Sequence, residues 1–120
     1  MADYRKLQVW DKAHQLTIDI YRISTDLPKS ELYGLQAQMR RASASIATNL
    51  AEGSGRSTDR DFARFVSHAI GSACELEYQL TLSQDLGYLE EPEVGLAQAQ
   101  VSEVRRMMRS LRHHLNSEDA

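Results

Sequence analysis

Four amphipathic stripes, each with apolar residues at alternating spacings of three and four, most constrain what this chain can fold into. Such spacing puts the apolar side chains on one face of a helix, and that face must be buried. The first stripe reads Val9, Ala13, Leu16, Ile20, Ile23 and Leu27, and Pro28 is expected to stop it, because proline cannot continue the hydrogen-bond ladder. The second follows Ser30 as Leu35, Met39, Ala42, Ile46 and Leu50, and ends at Gly53-Ser54-Gly55. Gly53 or Gly55 is expected at positive φ, the left-handed conformation common past a helix C-terminus. The third begins at Ser57 or Thr58, where Thr58 and Asp61 have the form of a capping box. It runs through Phe62, Val66, Ala69, Ala73, Leu76 and Leu80 to Gly87. The fourth starts near Pro92, a residue favoured in a first helical turn. It reads Val94, Ala97, Val101, Val104, Met108, Leu111 and Leu115.

The links between stripes are short, so consecutive helices should run antiparallel. The expected fold is all-α, an antiparallel up-and-down four-helix bundle forming one domain over residues 1–120, with a tail that frays after about 115. With 42% hydrophobic and 26% charged residues, the chain has globular rather than disordered composition. No apolar run approaches the ~20 residues of a membrane span. The opening Met1–Trp10 is polar, unlike a secretory signal. The lone Cys74 excludes an internal disulfide and suits a reducing compartment. The expected location is cytoplasmic, without membrane association.

Two stretches lack the charged outer face of a monomeric bundle helix. Ala42–Ala51 has no charged residue, and Val66–Cys74 has only His68 as a histidine, lysine, arginine or acid. Small residues run around both. They form either a seam that lets helices two and three approach closely or a surface buried by a second subunit.

The residues also test several chemistries. A bundle di-metal site wants Glu-x-x-His on two helices, and the nearest form here is Asp11-Lys12-Ala13-His14. Cys74 has no partner at zinc-ligand spacing, and the adjacent His113 and His114 point apart on a helix. Neither a metal nor a cofactor is expected. Gly53-Ser54-Gly55-Arg56-Ser57 lacks the Gly-Lys-Ser/Thr ending of a phosphate loop, although the start of helix three offers N–H groups beside Arg56. No nucleophile elbow is present. Asn49 and Glu52 are expected to be structural polar groups bonded to Arg40, Arg41 or Ser72. The chain is not expected to be an enzyme.

Charge geometry is more informative than the net charge of −3. Antiparallel helices gather Arg56, Arg60, Arg64, Arg105, Arg106, Arg109 and Arg112 towards one pole, with Arg5, Lys6 and Lys12. Opposing acids there include Asp3, Asp11, Glu52, Asp59 and Asp61, and the other pole gathers Asp19, Asp26, Glu31, Asp85, Glu90, Glu91 and Glu93 against Arg22 and Lys29. Helix dipoles explain the acids before helix four and the arginines at its end. They do not explain Arg56, Arg60 and Arg64 at the start of helix three, where positive charge is disfavoured. The seven arginines are therefore the candidate nucleic-acid-binding residues, for RNA or DNA backbone. The alternative is a structural or protein–protein interaction module whose arginines make salt bridges.

Longer motifs add a resemblance. Tyr33-Gly34-Leu35, Gln38-Met39-Arg40-Arg41-Ala42, Ser45-Ile46 and Asn49-Leu50-Ala51-Glu52-Gly53-Ser54-Gly55-Arg56 form its centre. Trp10-Asp11-Lys12-Ala13 precedes it, and Phe65, Ala69-Ile70-Gly71-Ser72, Glu75-Leu76 and Leu86-Gly87-Tyr88 follow. This pattern resembles the 23S rRNA-intervening-sequence proteins, and it covers nearly the whole chain. It is similar, too, to the accessory variability proteins of diversity-generating retroelements. The resemblance implies a four-helix bundle assembled as a homopentamer, and partners among nucleic acids and a reverse transcriptase.

Overall fold

Each apolar stripe becomes one helix: α1 spans Gln8–Ser24, α2 Leu35–Ser54, α3 Asp59–Asp85 and α4 Glu91–Leu115. The computed structural model describes residues 3–117, and all its regular structure is helical. Short 3-10 turns at Tyr4–Lys6 and Lys29–Glu31 precede α1 and α2. The helices form a ring in which each packs on the next and α4 closes on α1, with no close backbone approach across the diagonals among the described residues. The α2–α3 seam is the most extensive and α1–α4 the least. The body measures 48 × 21 × 20 Å.

The core is a column of side chains from all four stripes. Leu16, Ile20, Met39, Ile46, Leu50, Val66, Leu76, Leu80, Val101, Val104 and Met108 are fully buried or nearly so. Burying each leucine contributes about 1.5–3 kcal/mol relative to exposure. Polar groups lock α1 against α2. Gln36 donates from Nε2 to the Ser24 carbonyl at 2.8 Å, and Arg40 donates from Nε to Ser24 Oγ at 2.9 Å. The Thr17 hydroxyl donates to the carbonyls of Ala13 and Ser43, at 2.9 and 3.0 Å.

The helix ends show which turn devices operate. α1 stops at Ser24, earlier than its stripe, and Leu27 is buried outside the helix. Thr25, Asp26 and Leu27 donate to carbonyls three residues back, tightening the chain ahead of Pro28, whose ring disfavours helical conformation in the preceding residue. Glu31 accepts from the Leu35 N–H at 3.0 Å and so caps α2 from outside. Thr58 caps α3, its hydroxyl accepting from the Asp61 N–H at 3.1 Å as the capping-box spacing predicts. α3 ends in a Schellman turn: Tyr88 N–H bonds the Ser83 carbonyl, Gly87 N–H bonds the Gln84 carbonyl, and Gly87 sits at φ +78°.

The expectation for Gly53 and Gly55 is overturned. Gly87 is the one described glycine at positive φ. Gly55 has φ −87° and ψ −1°, ordinary right-handed backbone. Gly53 is the last but one residue of α2 and is buried. A Cβ there would lie 2.7 Å from Phe62 Cδ1 and 2.8 Å from Phe65 Cβ. Close approach of α3, not backbone conformation, requires that glycine.

Candidate nucleic-acid interface

The antiparallel ring places the end of α4 beside the start of α3. Arg112 Nη1 donates to Ser67 Oγ at 3.2 Å, which joins the two directly. The seven arginines singled out from sequence then divide by environment. Arg60, on the first turn of α3, and Arg106 and Arg109, on the last turns of α4, are exposed and have no acidic partner among the described residues. Arg56 and Arg64 are exposed too, but Asp61 lies between them, 3.7 Å from Arg56 Nε and 2.7 Å from Arg64 Nη2. Both guanidinium groups also lie over the Phe65 ring, at 4.5 and 4.8 Å from its centroid. Positive charge at the start of α3 therefore has local compensation at Arg56 and Arg64, and Arg60 alone is left without it.

Arg105 stands apart. Its side chain is 20% exposed and its Nη1 lies 2.8 Å from Glu77 Oε2. The hydrogen bond to Glu77 holds its guanidinium more firmly protonated than usual, against the opposing effect of burial. Arg105 is a cross-helix tie between α3 and α4. Lys12 similarly reaches Glu103 of α4 at 3.5 Å, and Arg5 pairs with Asp3, lowering that carboxyl below its ordinary range.

The opposite pole has a different character. Glu31 accepts from the Tyr88 hydroxyl at 3.1 Å as well as from Leu35, and ties the two loops together there. Asp26, Asp85, Glu90 and Glu91 are exposed around it. The molecule is electrically bipolar along its length.

The small-residue stretches are largely used within the chain. Ala42, Ser43, Ile46, Ala47, Ala69, Ile70 and Ala73 are buried. Ser45 and Ser72 hydroxyls meet at 2.9 Å across the α2–α3 seam. Asn49 is half-buried and donates to the Ser45 carbonyl and hydroxyl, at 2.8 and 3.1 Å, so it does not reach Ser72 itself. Glu52 is exposed and bonds neither Arg40 nor Arg41, which lie about 16–18 Å away along the same helix at its rise per residue; Arg40 turns to the end of α1, where it also lies over the Tyr21 ring. What remains outside includes Ala44 and Thr48 on α2, and Gly71, Cys74 and Tyr78 on α3. A Cβ at Gly71 would meet nothing within 4 Å.

An aromatic ladder lies at the start of α1, outside the candidate nucleic-acid-binding residues that the sequence displays. Trp10 and His14 stack in parallel, with centroids 4.9 Å apart and planes 7° apart, and Tyr4 meets Trp10 edge-on at 4.9 Å. Positions i and i+4 share a helix face, so the Trp10–His14 spacing was a usable signal for the stacked pair; Tyr4 arrives from the preceding turn. The ladder borders a cavity of about 350 Å³ floored by Ala44, Ala47 and Ala51. Among the described residues no group of three or more His, Cys, Asp or Glu is placed to hold a metal ion. No described helix is long and apolar enough to cross a membrane.

Comparison with known proteins fits this architecture. A crystal structure from Bacteroides thetaiotaomicron, of a protein with unknown function from the S23 ribosomal protein family, matches with a TM-score of 0.81. The match covers 87% of this chain and 97% of that chain at 22% identity, a likeness of fold. No curated protein matches the sequence. The profile of the 23S rRNA-intervening sequence proteins matches residues 5–110. The chain, matched over most of its length, belongs to the family of 23S rRNA-intervening sequence proteins.

Proposed function

We propose that this protein is a non-enzymatic, homo-oligomeric module of the cytoplasm that binds the phosphate backbone of RNA or DNA at its basic pole. The observation that carries the reading is the set of exposed arginines without acidic partners among the described residues, Arg60, Arg106 and Arg109, beside Arg56 and Arg64, which share Asp61, and the half-buried Arg112, which bonds the Ser67 hydroxyl. Arg105 drops out of the binding set, because Glu77 holds it. Guanidinium groups pair with phosphate bidentately, and three per protomer give weak binding alone. A cyclic assembly with helices parallel to its axis aligns every basic pole on one face and raises the effective concentration for a long polyanion. The resemblance to homopentameric accessory variability proteins supports five copies.

The free face of α3, with Gly71, Cys74 and Tyr78 exposed, supports assembly there. Gly71 is an exposed glycine in mid-helix, a residue that costs about 1 kcal/mol against alanine, and nothing within its own chain fills the space beside it. A second copy lying close against α3 accounts for it.

The direct test is binding of RNA and duplex DNA across a salt series. Affinity for duplex DNA should fall by about 0.9 log units per log unit of salt for each phosphate neutralised. Arg60→Glu with Arg106→Glu and Arg109→Glu should weaken RNA and DNA alike and leave the mass in light scattering unchanged. Failure of the unmodified protein to bind either at low salt would favour the alternative, a protein–protein module.

A further inference from the structure

We infer that the cavity between α1 and α2 is a nucleobase-stacking pocket that takes an unpaired guanine from a single strand crossing the basic pole. The proposal rests on the backbone-binding reading above and adds a base-specific contact to it. The cavity opens at the start of α1 and the second half of α2, the same end of the bundle as the arginines. Its volume, about 350 Å³, lies at the lower end of the range of about 300–1,000 Å³ for small-molecule sites.

Its walls are those of a stacking site. Trp10 and His14 already form a parallel stack at 4.9 Å, the arrangement that a flat aromatic ring extends, and alanines give a flat floor opposite. Base–aromatic stacking binds single strands, because duplex bases are covered by their neighbours. The polar atoms at the rim select among bases. Glu52 is exposed, and its carboxylate has no hydrogen-bond or ion-pair partner among the described residues; the same holds for the Thr48 hydroxyl. A carboxylate accepts and does not donate. Guanine presents two adjacent donors on one edge, N1–H and the N2 amino group, which match its two oxygens. Uracil offers one N–H between two carbonyls, which a carboxylate repels.

Trp10 is the chain's one tryptophan, so its fluorescence reports the pocket alone. The full-length protein is titrated with guanosine monophosphate, with ribose 5-phosphate, and with single-stranded oligonucleotides of guanine-containing or all-uracil sequence. A duplex is followed in parallel by gel shift. Guanosine monophosphate and the guanine-containing strand should quench Trp10, whereas ribose 5-phosphate should not. Glu52→Gln should weaken the guanine-containing strand about tenfold and the all-uracil strand hardly at all. His14→Ala should weaken the guanine-containing strand and spare both the all-uracil strand and the duplex. Both residues are exposed, and circular dichroism checks that each variant is folded. Nucleic acid that shifts in the gel while Trp10 emission stays unchanged overturns the pocket and leaves the basic pole standing. No shift with any nucleic acid overturns both. Trp10 emission that moves to the blue with protein concentration alone places a second copy in the groove and overturns the pocket.

Discussion

Gly53 and Gly87 both require glycine, for unrelated reasons. At Gly53 a Cβ would run into Phe62 and Phe65 at 2.7 and 2.8 Å, and Phe65 Cβ is too near its backbone to move aside. Gly53→Ala should cost about 1–3 kcal/mol by overpacking. Gly87→Ala should cost about 1–2 kcal/mol through its left-handed backbone. Gly55→Ala has neither obstacle and should stay within about 0.5 kcal/mol. Denaturant midpoints of the three variants check this ranking, and a Gly55 variant as damaged as Gly53 would refute the contact explanation. From sequence the three glycines look alike: composition marks a turn, but whether a residue must be small or left-handed depends on what packs beside it.

At the same scale, Tyr88 links pH to stability. Its phenol is pushed above the ordinary value of about 10, chiefly by its hydrogen bond to Glu31, then by burial and the carboxylate's charge. A raised folded-state value means that folding favours the protonated phenol. Its contribution is complete below about pH 10 and lost as pH rises through the raised value. Tyr88→Phe should melt lower than the parent at neutral pH, and the gap should close in alkali. Thermal melts across pH check it; a constant gap would assign the loss to packing.

At the scale of elements, α2 and α3 show how one pattern serves two purposes. Their uncharged stretches left open a close intramolecular seam or a subunit contact. The structure assigns most of the small residues to the seam, with Ser45 and Ser72 touching across it. Ala47 illustrates the shift: it is buried in the chain's own core, beside α1, so a charge there would test folding rather than assembly. Gly71 is the better probe, because its surroundings within one chain are empty. In an isolated chain, Gly71→Ala should stabilise α3 by about 0.5–1 kcal/mol. Gly71→Leu should break the proposed assembly into smaller species by light scattering while circular dichroism stays helical. An unchanged mass would place the interface on another face.

Across the whole molecule, the antiparallel ring turns a modest net charge into two poles of opposite sign. The acidic pole is tied internally through Glu31, whereas at the basic pole Arg60, Arg106 and Arg109 have no acidic partner among the described residues. That asymmetry gives a salt-sensitive prediction at this scale. Reversing one exposed arginine per protomer should reduce the salt slope of binding by about one per lost phosphate contact. Arg105→Gln should leave the slope unaltered and lower the melting temperature, because Glu77 holds the Arg105 guanidinium. An equal loss of nucleic-acid affinity in both variants would return Arg105 to the binding set.

Helix number, the Thr58 cap, the glycine stop at Gly87 and the bundle itself were determined by the sequence alone, since spacing and turn chemistry are local properties. So was the polarity of charge, which follows once short links force antiparallel neighbours. What only the tertiary structure decided was the partnership of each charged or small residue. Asp61 lies within reach of both Arg56 and Arg64, Glu77 meets Arg105 across two helices, and Gly53 abuts Phe65. Trp10 stacks on His14 beside a floor that α2 supplies. Residues far apart in the chain meet through the relative rotation and height of packed helices, which depend on how whole surfaces interlock and not on any single stretch of sequence.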